Sequence, residues 1–142
     1  NAPATDPAAA DTAIFYSISN AQKGLAGISF GNFLIKRVAQ QLSQEFPNLK
    51  TFATLSPIPY LAKEKGRGGR ARDPVAHFHL SNGARLERLN WLGDTSDKGL
   101  AQSAGLMVNY LYDLGRIEGN HEAYTSAGSV DMSSGVKAHL RG

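Results

Sequence analysis

The chain contains no cysteine. Disulfides and thiolate-bound metals are therefore excluded, and the composition suits a reducing compartment. It also lacks a long apolar run, so no helix is expected to cross a membrane. The opening NAPATDPAAADT has neither the basic start nor the apolar core of a signal peptide, and reads as a loose arm over residues 1–12. There is no internal repeat. There is no metal constellation either: His77 and His79 stand too close together, and no nearby carboxylate cluster completes a site. Excess charge is scarce, a net +3 with a pI near 9.3, and one segment holds much of it.

What the chain does have is length enough, 142 residues, for one domain with a real core. Its organising stretch runs from Ile14 to Pro59. IFYSISN alternates bulky and small or polar positions around Phe15 and Tyr16, which predicts a strand over Ile14–Ser19. Gly24, Gly27 and Gly31 cluster where that strand must turn into a helix. Phe30, Phe33, Leu34, Val38, Leu42 and Phe46 then recur at three and four residues, as the apolar face of one long helix. Lys36, Arg37, Gln40, Gln41 and Gln44 take its wet side, and Pro47-Asn48 ends it. Thr51–Leu55 reads as a second strand, stopped by Ser56-Pro57-Ile58-Pro59. A strand, a crossover helix and a strand make the βαβ unit of a parallel sheet, whose chemistry and pocket gather at the carboxyl ends of the strands. Ser17, Ser19 and Ser56 mark those ends. The glycines suit an anion cradle at the helix start, and equally a tight turn with close helix–sheet packing. Ser56 is either a hydroxyl held rigid by its prolines or a plain turn residue.

Further on, Lys63–Arg72 (KEKGRGGRAR) is a flexible, solvated loop with five basic residues and one acidic. No aromatic side chain interleaves its arginines, so phosphate contact or an inert loop is favoured over nucleic acid. Asp73-Pro74 opens a short helix with Asp as N-cap and Pro at N1, and Asn82-Gly83 closes it. Val75 and His79 share one face of that helix, while His77 points away. An inward histidine there is more often a satisfied core residue than a catalyst. ARLERLNWL (84–92) has leucines at helical spacing, but its Asn-Gly start and its Trp favour a strand. GDTSDKG reads as a turn and Leu106–Leu111 as a strand, after which NHEAY and SSGVKAHL each suit a short helix.

FYSISNAQKGLAGISFGNFLIKRVAQQL, FATLSPIP, DPVAHFHLSNGARLERLNWLGD and SAGLMVNYLYDL, in that order, resemble the C-terminal catalytic domain of malonyl-CoA decarboxylases. The likeness covers residues 12–142 in blocks, with the SPIP and FHL-x-NGA blocks its most specific parts. It implies an α/β (α+β) GNAT-like acyl-CoA-binding fold over residues 13–142, a mixed sheet with a crossover helix, present in part. It implies decarboxylation of malonyl-CoA to acetyl-CoA and carbon dioxide, without a metal or organic cofactor. By the same resemblance Ser56 binds the malonyl group and acts in proton transfer, and His79 donates the proton. Ser17 and Tyr112 line the pocket. Ala26, Gly27, Ile28, Ser29, Phe30, Gly31 and Asn32 contact the CoA diphosphate. Lys36, Arg37 and the Lys63–Arg72 loop are candidates for the ribose phosphate.

Those residue types suit the chemistry. Loss of carbon dioxide leaves an enolate whose charge sits on the thioester oxygen, and hydrogen-bond donors aimed there lower the barrier. A histidine titrating near neutrality could return a proton to carbon. A lone serine hydroxyl is a poor base, so Ser56 is expected to position rather than deprotonate.

The departures from the family pattern also carry expectations. The family has a helical domain and sheet strands ahead of the position of Ile14, and a long helical insert after the SPIP block. Here Tyr60-Leu61-Ala62 follows directly. His77, Asp131 and His139 stand where other residue types are expected. A sheet without its first strands exposes an edge beside Ile14–Ser19, so self-association into a homo-oligomer or a missing partner segment is expected. The bacterial cytoplasm is the expected location, with an organelle as the alternative. Two other functions compete: an acyl-CoA-binding or acyl-transferring domain that does not decarboxylate, and a basic nucleic-acid module.

Overall fold

The computed structural model describes residues 6–16, 31–58, 71 and 73–140. Its sheet is built on the βαβ unit the sequence predicts. Strand β1 (Thr12–Phe15) is followed by helix α1 (Gly31–Glu45) and strand β2 (Thr51–Pro57), and β1 pairs with β2 in parallel, Ile14 opposite Ala53. Strand β3 (Arg85–Asn90) and strand β4 (Met107–Leu111) complete a four-stranded mixed sheet in the order β1-β2-β4-β3. Both pairings of β4 are antiparallel. Helix α2 (Pro74–Ser81) lies between β2 and β3 in sequence, and α3 (Asp97–Ser103) between β3 and β4. The helices α4 (Ile117–Ala127) and α5 (Ser134–Leu140) follow β4.

Five local expectations change. The arm is not loose from residue 6 onward. Residues 7–9 form a 3-10 turn, the Asn48 side chain donates to the Ala8 carbonyl, and the Lys50 and Thr51 amides both donate to the Asp11 carbonyl. The strand that follows begins at Thr12, two residues earlier than the Ile14 start predicted.

The buried stripe of α1 is Ile35 and Ala39, continued by the half-buried Leu42 and Phe46. Leu34, placed on the apolar face by spacing, is 61% exposed. Spacing of three and four residues fits stripes starting at 34 or at 35, and packing selects the second.

Ser56 does not sit in a turn. β2 runs on to Pro57, with Ser56 opposite Val108 and Pro57 opposite Met107. By strand alternation the nitrogen of Pro57 faces the β1 side, beyond Phe15, the last β1 residue. Its missing N–H therefore breaks no described ladder bond.

The GDTSDKG turn gives way to α3. Ser96 caps that helix, its hydroxyl accepting from the Gly99 amide at 3.1 Å.

The two rims of the sheet differ. Beyond β3 the chain returns at Met132, and Leu86 exchanges backbone hydrogen bonds with Asp131 and Ser133. Beyond β1 no strand pairs among the described residues, and Ile14 and Tyr16 there are 44% and 75% exposed. Among the described residues Thr12–Phe15 is thus an outer strand of the sheet, and most of the Ile14–Ser19 edge expected from sequence lies outside them.

Candidate active site

Helix α2 places the histidine. The Asp73 carboxylate accepts from the Ala76 amide at 2.8 Å and Pro74 opens the first turn, as the Asp-Pro pair predicts. Ala76, His79 and Leu80 are its buried residues, at the three- and four-residue spacing of one helix face. The helix closes at Asn82, and Gly83 follows at φ +79°. A side chain at Gly83 would put its Cβ 2.1 Å from the Ile117 carbonyl oxygen, so only glycine lets this turn lie against α4.

The strands supply the partners. Alternation along β2 puts Phe52, Thr54 and Ser56 on one face, and register with β4 puts Val108 and Tyr110 beside them, with Tyr112 just past the strand. His79 docks on that face. Its Nε2 lies 3.1 Å from the Ser56 hydroxyl, and its Nδ1 lies 2.7 Å from the Tyr112 hydroxyl. The Tyr110 ring stacks against the imidazole, centroids 4.5 Å apart and planes at 21°. All four side chains are buried, His79 at 2% exposure.

Burial sets the electrostatics. Desolvation pushes the His79 pKa from 6.5 down to about 4, so the ring is neutral at neutral pH. It does not match the expectation of a histidine titrating near neutrality. Burial first, and then neighbouring Tyr110, holds the Tyr112 phenol above its ordinary pKa. A neutral imidazole has one donor and one acceptor nitrogen. The chain therefore has two arrangements. In one, Tyr112 donates to Nδ1, Nε2–H donates to Ser56, and the Ser56 proton is left free. In the other, every donor points the opposite way and the Tyr112 proton is free. Passage between them moves a proton along the chain without charging the imidazole.

Three of the candidate residues, Ser56, His79 and Tyr112, thus form one hydrogen-bonded chain across α2, β2 and β4. Ser17, Ala26, Gly27, Ile28, Ser29 and Phe30 lie outside the described residues, as do Ser19 and most of the Lys63–Arg72 loop. Gly31 and Asn32 are the first two residues of α1. In a βαβ unit that end of the helix lies at the end of the sheet where Ser56 stands. Lys36 pairs with Glu118 at 2.6 Å on the surface. Sequence reading missed Tyr110. Its signal was the two-residue spacing to Tyr112, which puts both tyrosines on one strand face. A cleft of about 610 Å³ opens at the amino end of β2, bounded by Ser43, Lys50, Glu87 and Asp113, and shares Tyr112 with the chain. The pocket expected from sequence belongs to the other, carboxyl end. The segments that follow β1 and β2 there are outside the described residues.

A parallel β1-α1-β2 crossover, extended by two antiparallel strands and carrying a buried histidine on its face, defines a GNAT-like α+β domain. The family model for the malonyl-CoA decarboxylase C-terminal domain matches residues 1–64 and 59–142. The chain belongs to the malonyl-CoA decarboxylase family. It is 34% identical to the mitochondrial malonyl-CoA decarboxylase of Anser anser anser over 88% of its length, and 33% identical to that of Rattus norvegicus over 87%. It overlays the crystal structure of malonyl-CoA decarboxylase from Agrobacterium vitis with a TM-score of 0.88 at 42% identity, covering 97% of this chain and 47% of that one. For the enzyme from Rhodopseudomonas palustris the values are 0.83, 43%, 92% and 42%. The chain spans about two fifths of the curated relatives, 39% and 40% of their lengths. The alignment to the goose protein runs over 197 positions against 142 residues here, and the two matched pieces of the family model meet at 59–64. Relatives therefore carry residues without a counterpart in this chain, in keeping with an insert after the SPIP block. No helix among the described residues is long and apolar enough to cross a membrane.

Proposed function

We propose that this domain decarboxylates malonyl-CoA to acetyl-CoA and carbon dioxide, with the Ser56–His79–Tyr112 chain returning the proton. The observation that carries the reading is that chain of two hydrogen bonds, 3.1 and 2.7 Å, in a member of this family. Cleavage of the bond between the carboxylate and the methylene carbon releases carbon dioxide and leaves the enolate. The Ser56 hydroxyl gives its proton to that carbon, His79 Nε2–H restores the serine, and Tyr112 O–H restores Nδ1. The negative charge released by the carboxylate ends on the Tyr112 phenolate, which solvent then protonates. A phenol remains a far stronger acid than a thioester α-carbon, so the transfer runs downhill despite the raised pKa of Tyr112. His79 supplies the proton through Ser56, because both of its nitrogens are engaged.

In this reading Ser56 also orients the malonyl carboxylate, and Ser17 adds a hydroxyl to the pocket. Residues 26–32 hold the CoA diphosphate at the start of α1, where amide donors and the helix dipole favour an anion. No metal or organic cofactor and no nucleic acid takes part. The protein works in the bacterial cytoplasm as a homo-oligomer. The test is incubation of the chain with malonyl-CoA while acetyl-CoA is followed, beside Ser56→Ala and His79→Ala. Turnover that either substitution abolishes supports the assignment. Turnover that survives both would sink it, and CoA binding without acetyl-CoA formation would point to an acyl-CoA-binding or acyl-transferring domain.

A further inference from the structure

Two hydrogen bonds at opposite nitrogens hold His79 along a line, and a ring held along a line can still rock about it. Something else must fix its plane. Around the imidazole stand Ser56 from β2, Tyr112 after β4, and Tyr110 on β4. Of these only Tyr110 meets the ring face on, at 4.5 Å and 21°. Phe78, the neighbour in the helix, meets it edge on, at 5.1 Å and 76°. Tyr110 is itself closely packed. It is 0% exposed and belongs to a central strand, opposite Thr54 on one side and Leu86 on the other. Its hydroxyl has no hydrogen-bond partner among the described residues. What Tyr110 presents to His79 is therefore its ring face.

We propose that Tyr110 is a positioning residue of this site: its ring is the third contact, the one that fixes the plane of the His79 imidazole and aims Nε2 at the Ser56 hydroxyl. The same ring keeps water off that face. Ser56, Tyr110 and Tyr112, the side chains that face the imidazole from the strands, are all uncharged at neutral pH. The functional value of this alignment rests on the proton chain proposed above, but the alignment itself is measurable without turnover.

The experiment is a pH titration of the His79 ring by nitrogen-15 NMR on the full chain, which reads both the titration midpoint and the tautomer. Tyr110→Phe keeps the ring and loses only the hydroxyl, so midpoint and tautomer should match the parent. Tyr110→Leu removes the flat face and admits water, so the midpoint should rise by about one pH unit or more toward that of a free histidine. The two tautomers should then mix. Tyr110→Met fills the volume without a flat face. It serves as the same test should the leucine variant fail to fold. A parent-like midpoint and tautomer in Tyr110→Leu or Tyr110→Met would overturn the proposal, because a structural role alone would lower stability and leave the titration in place. A shift in Tyr110→Phe as large as in the leucine variant would also overturn it, by giving the role to the hydroxyl. Absence of decarboxylation in the parent chain would sink the functional reading and leave this titration unaffected.

Discussion

Helix α2 carries two histidines two residues apart, and each has its Nδ1 within reach of a tyrosine hydroxyl. His77 lies 2.9 Å from Tyr124, on α4, and His79 lies 2.7 Å from Tyr112. The likeness ends there. His77 is exposed, and its tyrosine also accepts from the Ala71 amide at 2.9 Å, so that side of α2 ties the helix to α4 and to the chain that leads into it. His79 is buried, with a second partner at Nε2 and a flat aromatic wall. A tyrosine partner is thus common to a fastening and to a candidate site. Loss of solvent and a second engaged nitrogen separate them.

The largest expected effect breaks the comparison outright. His79→Ala should lower malonyl-CoA turnover by about a hundredfold or more, the usual scale for a positioned acid–base group. His77→Ala should leave turnover within about twofold, and acetyl-CoA formation by the two variants side by side is the check.

The second prediction is acid sensitivity. The folded-state pKa of His79 is depressed to about 4 from 6.5, so the unfolded chain binds its proton more readily. The stability that depends on a neutral His79 is complete above pH 6.5 and is lost as pH falls toward 4. The full loss is on the order of 3 kcal/mol. Urea unfolding at a series of pH values should show that slope in the parent and a flatter one in His79→Gln.

Tyr112→Phe comes next. It strips a buried nitrogen of its partner and should cost roughly 1–3 kcal/mol in urea unfolding. Smallest is Tyr124→Phe, which releases Ala71 and His77 and should cost about 1 kcal/mol with turnover nearly intact. A Tyr124→Phe effect on turnover equal to that of Tyr112→Phe would erase the distinction between the two sides of α2.

Much of this was legible because it depends on neighbours in sequence. Asp73, Pro74 and Gly83 announce α2, and its period sends His79 inward and His77 outward. What was hidden depends on docking. Nothing local says that β4 inserts between β2 and β3, and without that order Tyr110 and Tyr112 cannot be brought to His79. The stripe of α1 was misplaced by one residue because sequence spacing leaves its rotation to the sheet. Helix α3 was missed because its polar start resembles a turn. Ser56 looked like a turn residue because Pro57 usually ends a strand, and only the sheet order shows which way its nitrogen faces.

The three-residue chain also bears on how the molecule folds. Ser56 and His79 are 23 residues apart, and His79 and Tyr112 a further 33. Neither bond can form until β2, α2 and β4 have all docked, and loop closure over such distances slows a search. The site should therefore be among the last parts to assemble during refolding. The downfield imidazole proton of His79 would then serve as a clock for the final step.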